Sequence, residues 1–161
     1  MSAPIPKLPI AVIGAGLAGL SCAQALLQSG HAVHVFDKSR GPSGRMSTRR
    51  AEDAAGPWQC DHGAQYFTAR DPQFRAEVAR WQQAGVAALW GARLASFDGS
   101  AWTTPATPLE RFVGTPRMTS PAGWLVQGLQ QAGDRALAQW QTTAQKLERH
   151  ADGWAITSAE H

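Results

Sequence analysis

The sequence has 161 residues, 43% hydrophobic and 17% charged, which is ordinary for one globular domain, or for a domain with part of another. A net charge of +3 is too small to indicate a nucleic-acid-binding protein, and no recognised nucleic-acid module is present. Two cysteines exclude a disulfide framework and favour the reducing cytoplasm, and no Cys/His cluster has the spacing of metal ligands.

Residues 1–9 are proline-rich and predict a loose lead-in. Residues 8–27 are largely apolar, so a secretory signal or a membrane helix is an alternative for this stretch. Only Lys7 precedes the run, which contains three glycines as well as Ser21 and Gln24. These features favour the first strand and helix of a soluble domain, with no membrane span.

The first elements form a strand–helix–strand pattern. Residues 10–13 are apolar and β-branched, which predicts a buried strand. Residues 17–28 carry an apolar stripe at helical spacing, and Gly30 is a plausible end for that helix. Residues 32–36 predict a second strand. Cys22 falls on the helix, where a small buried residue is the default.

The turn between the first strand and the helix has glycines at G-x-G-x-x-G spacing. Gly14 allows the sharp turn, Gly16 lets a pyrophosphate approach the backbone, and Gly19 allows close packing of helix and strand. Free N–H groups at the helix start favour an anion. Asp37, 23 positions after Gly14, can accept hydrogen bonds from ribose hydroxyls. The pattern therefore predicts a dinucleotide site.

The next segment, residues 38–50, is rich in glycine, proline and serine, so we expect no long regular element. It also contains four arginines, namely Arg40, Arg45, Arg49 and Arg50. Backbone amides and guanidinium groups in such a loop can provide a second phosphate contact. A solvated basic loop is the alternative, and the better one if the segment is taken alone.

The middle of the chain changes character. Residues 72–83 predict a helix with Asp71 as N-cap, Pro72 in the first turn and a core-facing aromatic stripe. Residues 86–97 and 100–104 predict short strands with a turn at Asp98-Gly99. Within them lie Trp90 and Trp102, which could line a substrate cavity, although packing is the favoured interpretation.

The C-terminal third predicts a return to the first sheet. Residues 105–117 are interrupted by prolines, and residues 121–131 predict a helix with Trp124, Leu125 and Leu129 inward. Residues 136–140 predict a strand of the first sheet. Residues 143–147 and 154–157 predict a hairpin around Ala151, Asp152 and Gly153.

Three motifs resemble the flavin amine oxidase superfamily. Residues 14–19 with Asp37 are similar to its dinucleotide-binding turn, and residues 40–48 to its R-x-G-G-R loop, although Ser43 stands where the first glycine of the pair is usual. Residues 60–68 resemble the D-x-G-A-Q-Y segment of the renalase-like branch, where the chain passes the flavin ring. If the position of Ser43 needs positive φ, serine carries a cost there.

The resemblance implies FAD as cofactor and a Rossmann-like α/β fold. It assigns residues 1–70 to the FAD-binding part, 71–135 to the start of an inserted substrate domain, and 136–161 to a return strand and hairpin of the FAD-binding domain. Relatives run on further, so we expect a truncated chain that lacks the segment capping the isoalloxazine. The residues expected at the cofactor are Gly14, Ala15, Gly16, Leu17, Ala18, Gly19, Asp37, Lys38, Gly44, Arg45, Met46, Gly63, Ala64, Gln65 and Tyr66.

Within that set, Arg45 is expected at the phosphates, and Gln65 and Tyr66 near the ring, whereas His62 is expected to be structural. The implied activity is oxidation of dihydronicotinamide isomers of NAD(P)H to NAD(P)+, with oxygen giving hydrogen peroxide. An amine oxidase or desaturase of the same superfamily and a non-catalytic nucleotide-binding module remain open.

Overall fold

The computed structural model describes residues 8–104 and 109–160. The expected lead-in at residues 1–9 lies almost entirely outside them, as does part of the proline-interrupted stretch. The chain divides into two compact units. The first joins the stretch that ends at Ser47 to the stretch that begins at Ala122, and the second is Thr48–Pro121.

The helices and strands are numbered in chain order. They are β1 (Ile10–Ile13), α1 (Leu17–Gln28), β2 (Val33–Phe36), β3 (Thr48–Asp53), β4 (Gly56–Asp61), α2 (Pro72–Gln83), β5 (Ala87–Leu89), β6 (Ser96–Phe97), β7 (Trp102–Thr103), β8 (Phe112–Gly114), α3 (Ser120–Gln130), β9 (Ala136–Gln139), β10 (Thr142–His150) and β11 (Gly153–Glu160). Short 3₁₀ turns occupy Gly44–Met46 and Gly133–Arg135.

A parallel three-stranded sheet in the order β1-β2-β9 is the centre of the first unit. Ile10 lies opposite Val33, which in turn lies opposite Ala136. The predicted strand–helix–strand start and the return of residues 136–140 to this sheet are both confirmed. Helix α1 ends as predicted, because Gly30 has φ +85° and its N–H donates to the Leu27 carbonyl oxygen over 3.0 Å.

One face of this sheet is covered by helices. Leu20, Ala23 and Leu27 of α1 are buried with Leu125 and Leu129 of α3 in one cluster, so the predicted inward faces of both helices are confirmed. The side-chain amide of Gln24 donates to the Leu125 carbonyl oxygen over 3.2 Å, which joins the two helices directly.

On the opposite face, Ile13, His34 and Phe36 line a cavity of about 670 Å³ together with residues of the β10–β11 hairpin, so the prediction that residues 10–13 form a buried strand is wrong in part. Only Val12 is buried, whereas Ile13 is 52% exposed. β1 is an edge strand of the described sheet, and Ile13 lines that cavity instead of joining the cluster under the helices. Burial depends on what covers a strand, which an apolar run cannot specify. Cys22 on α1 is likewise exposed rather than buried, because it lies off the α1 face formed by Leu20, Ala23 and Leu27.

The last two strands form the predicted hairpin, although both are longer than expected. Strand β10 pairs antiparallel with β11, with Leu147 opposite Ile156 and His150 opposite Gly153. None of the helices in the described part of the chain has the length and apolarity that crossing a membrane requires.

The second unit contains a hairpin that was not predicted. Strands β3 and β4 pair antiparallel, with Thr48 opposite Asp61, and β3 begins inside the segment expected to lack regular structure. Its side chains are mostly exposed, so no apolar alternation marks it. The predicted strand 86–97 is also interrupted, since only β5 and β6 form within it.

The predicted helix at residues 72–83 is confirmed. The Asp71 carboxylate accepts the Phe74 N–H over 2.9 Å, and Pro72 occupies the first turn. Trp81 is buried and its ring lies 6.0 Å from that of Phe67. The aromatic stripe of this helix therefore belongs to the core of the unit.

The two tryptophans of the β5–β7 region do not belong to that core. Trp90 is 38% exposed and Trp102 is 72% exposed, so the favoured prediction of packing is wrong for both. Trp102 contacts Phe97 across its own two-residue hairpin, with ring centroids 5.1 Å apart. So short a hairpin presents its side chains to solvent because nothing packs over it in the described part of the unit.

Candidate cofactor site

The turn from β1 into α1 depends on two glycines. Gly14 has φ +99°, a left-handed conformation that favours glycine, and its N–H donates to the Phe36 carbonyl oxygen over 2.7 Å. A Cβ on Gly19 would overlap the Gly14 carbonyl oxygen and lie 3.1 Å from the carbonyl carbon. The close packing that the sequence predicts at Gly19 is therefore confirmed.

Gly16 has the opposite surroundings. It is the N-cap residue of α1, with φ −71°, and a Cβ placed on it would meet no atom within 4 Å. No side chain caps the helix here, and no acidic residue stands in its first turn. The N–H groups of that turn have no acceptor within the helix, so an anion can approach them over the bare Cα of Gly16.

The loop that follows β2 lies directly on this turn. The Ser43 N–H donates to the Ala15 carbonyl oxygen over 2.9 Å, and Ser43 and Gly16 form an isolated parallel β-bridge. A Cβ on Gly44 would lie 3.3 Å from the Gly16 Cα. Ser43 itself has φ +115°, so the position does require the conformation for which serine is unsuited.

Together the turn and the loop line a cavity of about 450 Å³. Its lining residues are Gly16, Leu17, Ala18, Ser21, Ser43, Arg45 and Met46. Arg45 is exposed and is the charged group of the lining. The cavity thus combines free backbone donors, a guanidinium group and an open Cα, which suits an extended phosphate-containing ligand.

Asp37 has a role that the sequence did not reveal. Its buried carboxylate accepts the Ala15 N–H over 2.6 Å and the Ser39 N–H over 2.7 Å. The acid therefore fastens the end of β2 to the glycine turn. A carboxylate offers about four lone-pair positions, so these two bonds leave acceptor capacity for ribose hydroxyls. Ribose binding by Asp37 remains a prediction. The exposed Lys38 follows it directly.

The remaining expected site residues lie in the second unit, after β4. Gly63 and Gln65 are exposed, Ala64 is half-buried, and Tyr66 is 38% exposed. Just before them, the Asp61 carboxylate accepts the Met118 N–H over 3.1 Å and is also hydrogen-bonded to the Thr48 hydroxyl. Their placement at a flavin ring remains a prediction.

Residues 12–81 match the model of the NAD(P)-binding Rossmann-like domain family. At the start of this stretch, β1, α1 and β2 have the Rossmann-like strand–helix–strand arrangement. A 43-residue stretch is 46% identical to the chloroplastic/chromoplastic zeta-carotene desaturase of Arabidopsis thaliana, covering 27% of this chain and 8% of the desaturase.

Solved structures agree in fold. Putrescine oxidase bound to putrescine superimposes with a TM-score of 0.62 at 12% identity, over 95% of this chain and 55% of that one. The p-nitrophenol 4-monooxygenase PnpA of Pseudomonas putida gives 0.53 at 15% identity, over 94% and 39%. AlpK gives 0.57 at 18% identity, over 94% and 27%. The chain thus spans about half of the oxidase and smaller shares of the others.

Proposed function

We propose that the protein binds FAD and belongs to an FAD-dependent oxidoreductase. The observation that carries the proposal is the open Cα of Gly16 at the start of α1, where a Cβ would meet nothing within 4 Å. Glycine is not needed there for the backbone, since φ is −71°. A residue without a side chain, beside a cavity of about 450 Å³, suits the close approach of a pyrophosphate.

The residues of the first unit would divide the binding between them. The N–H groups at the start of α1 would hold the pyrophosphate, with the guanidinium group of Arg45 as counter-charge. Asp37 would accept ribose hydrogen bonds with its remaining lone pairs while holding Ala15 in place. The Ser43–Gly44 loop would keep the turn rigid, because it lies against Gly16.

For the reaction, we propose oxidation of dihydronicotinamide isomers of NAD(P)H to NAD(P)+. The support is the resemblance of Asp61 to Tyr66 to the renalase-like segment. Bound FAD would supply a hydride acceptor for the dihydropyridine and a two-electron donor for oxygen, so that the dihydropyridine, oxygen and one solvent proton would give NAD(P)+ and hydrogen peroxide. The substrate ring becomes aromatic as the hydride leaves, so no protein base is needed and His62 has no proton to remove.

The test begins with flavin content and then adds substrate. We expect the full-length protein to purify yellow with about one FAD per chain, and its flavin absorbance to bleach when the 2- or 6-dihydro isomers are added without oxygen. A flavin that stays oxidised with these isomers but is reduced by an amine would refute the substrate assignment. Bound AMP or ADP, or an empty site, would instead identify a nucleotide-binding module without turnover.

A second candidate activity keeps the cofactor and changes the substrate. The 46% identity with a carotene desaturase over 43 residues and the fold shared with putrescine oxidase favour a desaturase or an amine oxidase. Putrescine in the same anaerobic experiment separates an amine oxidase from the first candidate.

Gly16→Val tests the binding geometry itself. The branched side chain would stand where the pyrophosphate is expected, so stoichiometric FAD should be lost while the far-ultraviolet circular dichroism stays unchanged. Gly41→Val is the matched control, because a Cβ on Gly41 also meets nothing within 4 Å and the cavity lining does not include it. Retention of FAD by Gly16→Val would show that the turn does not hold the phosphates.

A further inference from the structure

In the second unit, the side chains of Tyr66, Trp90 and Arg111 lie beside one another. The N–H and carbonyl oxygen of Phe67 bond to Phe112, and the Trp90 N–H donates to the Arg111 carbonyl oxygen over 2.7 Å. Side chains alternate between the two faces of a strand. The side chains of Tyr66, Trp90 and Arg111 therefore lie on the face opposite to Phe67 and Phe112, which belong to the aromatic core.

These three residues form what we call the aromatic platform. The rings of Tyr66 and Trp90 are nearly parallel, with an interplanar angle of 19° and centroids 5.8 Å apart. The guanidinium carbon of Arg111 lies 5.0 Å from the Tyr66 centroid. Both rings are 38% exposed. Stacked rings and a guanidinium group on a ring face hold one another in a fixed arrangement, so the platform is preformed.

Trp90 and Arg111 also line a cavity of about 340 Å³ in this unit, with Leu89, Leu94, Leu109 and Glu110. This volume is in the range of small-molecule pockets. Leucines and Trp90 form most of the apolar part of the lining, and the polar side chains are those of Thr104, Glu110 and Arg111.

The charge of the cavity is positive. The Glu110 carboxylate pairs with Arg75 over 2.7 Å, so its charge is already neutralised. Arg111 donates to the Leu109 carbonyl oxygen over 3.2 Å, and its Nε is buried with no hydrogen-bond partner among the residues described. A guanidinium group in the lining of a cavity is a strong hydrogen-bond donor to a carboxylate or phosphate, because its N–H groups carry a positive charge.

We propose that this cavity binds a planar conjugated ring that carries a phosphate or carboxylate group. The ring stacks against Trp90 and the anionic group binds Arg111. A phosphorylated nicotinamide is a planar ring with an anionic group, so the ligand could be the substrate, and that part of the inference rests on the proposed oxidoreductase function. As an assignment of a binding site it does not depend on FAD. A wholly apolar ligand would leave the Arg111 donors unsatisfied, so the cavity disfavours one.

Calorimetric titration of the purified chain with three probes tests the proposal. The probes are nicotinamide mononucleotide, nicotinamide and inorganic phosphate. We expect the mononucleotide to bind at least about tenfold more tightly than nicotinamide, because a charge-assisted hydrogen bond adds to the stacking. Equal affinity for these two probes would overturn the role of Arg111. Equal affinity for mononucleotide and phosphate would overturn the role of Trp90.

Matched variants locate the site. Arg111→Gln should weaken mononucleotide binding by about tenfold and leave nicotinamide unchanged, and Arg111→Lys should recover part of the loss. Arg70→Gln is the control, since Arg70 is exposed in the same unit. Trp90→Leu should weaken both nicotinamide probes, whereas Trp102→Leu removes an exposed tryptophan outside the cavity and should change neither.

The outcomes separate this inference from the proposed function. Binding of the mononucleotide that is lost in Gly16→Val and retained in Arg111→Gln would assign the phosphate to the glycine turn and overturn the inference. Arg111-dependent binding by a protein that takes up no FAD would support the inference and refute the proposed function. Circular dichroism of each variant establishes that it is folded before its affinity is compared.

Discussion

Gly19→Ala should destabilise the fold and Gly16→Ala should not, although the two glycines share one turn. The added Cβ of Gly19→Ala would overlap the Gly14 carbonyl oxygen and come within 3.5 Å of the Val12 Cγ1 atom. The obstructing atom belongs to the backbone, so no change of rotamer can move it away. To restore a normal contact separation, the backbone would have to shift by more than about 1 Å.

The size of the effect follows from that geometry. Overpacking of a rigid interior typically destabilises by about 1–3 kcal/mol, and a clash with backbone belongs at the upper end. For a chain of this length, about 3 kcal/mol corresponds to a fall in Tm of roughly 6–12 °C. Gly16→Ala adds its methyl group to open space at φ −71°. The gain of up to about 1 kcal/mol from a less flexible unfolded chain is offset by the preference of the N-cap position for glycine over alanine, so the net change in stability should be close to zero.

Urea denaturation of both variants without cofactor measures the difference in their stability. Titration with FAD then measures the affinity of the folded Gly16→Ala variant for the cofactor. Gly16→Ala should lose affinity for FAD despite its intact fold, because its methyl group stands on the phosphate side of the turn. Destabilisation of Gly16→Ala to the extent of Gly19→Ala would refute the assignment of separate packing and ligand roles. So would Gly16→Ala binding FAD like the wild type.

Three further predictions concern the residues around this turn and the sheet behind it. Asp37→Ala should lower the free energy of unfolding by about 1–3 kcal/mol, because the N–H groups of Ala15 and Ser39 lose their acceptor; unchanged urea midpoints would contradict it. Ser43→Gly should stabilise by about 1 kcal/mol by relieving a positive φ, whereas Ser43→Ala should give no gain, and equal midpoints for these two variants would rule out backbone strain. Burial lowers the pKa of His34, against a weaker opposing hydrogen bond from Gln139. The unfolded chain therefore binds more protons, so this contribution to stability is present above about pH 6.5 and is lost as the pH falls below it. Denaturation series between about pH 5 and 8 should show a smaller acid loss for His34→Leu than for the wild type, and parallel curves would refute this.

Local signals in the sequence were sufficient for the helices. Asp71 and Pro72 define the start of α2, and Gly30 terminates the turn after α1, because caps act on neighbouring backbone groups. The parallel pairing of residues 136–139 with β2 was also predictable, since a short strand after a helix returns to the same sheet.

Burial was less predictable, because it depends on partners that are distant in sequence. Ile13 and Trp90 are apolar residues in the type of strand that usually lies in a core, yet both are exposed. The hairpin β3–β4 was missed for the converse reason. Its exposed side chains give no alternating apolar pattern, and Pro57, which lies in β4 opposite Glu52, is a residue type that argues against a strand. In the site, the turn at Gly14 and the close packing at Gly19 followed from spacing. The hydrogen bond from the Ala15 N–H to the Asp37 carboxylate was not predictable from spacing, because the pattern assigned that carboxylate to a ligand.

The arrangement around Gly16 argues for a preorganised site rather than a simple connection between strand and helix. A connection needs only the turn at Gly14. Here the Asp37 carboxylate also holds the Ala15 N–H, and the Ser43 N–H holds the Ala15 carbonyl oxygen. Both peptide groups that flank Ala15 are thus fixed by segments from elsewhere in the first unit. The second restraint requires Ser43 at φ +115°, a strained conformation that persists only where surrounding contacts enforce it. Strain of this kind, which helps to hold Gly16 and its unobstructed Cα in position, is expected where a ligand must find its donors already aligned.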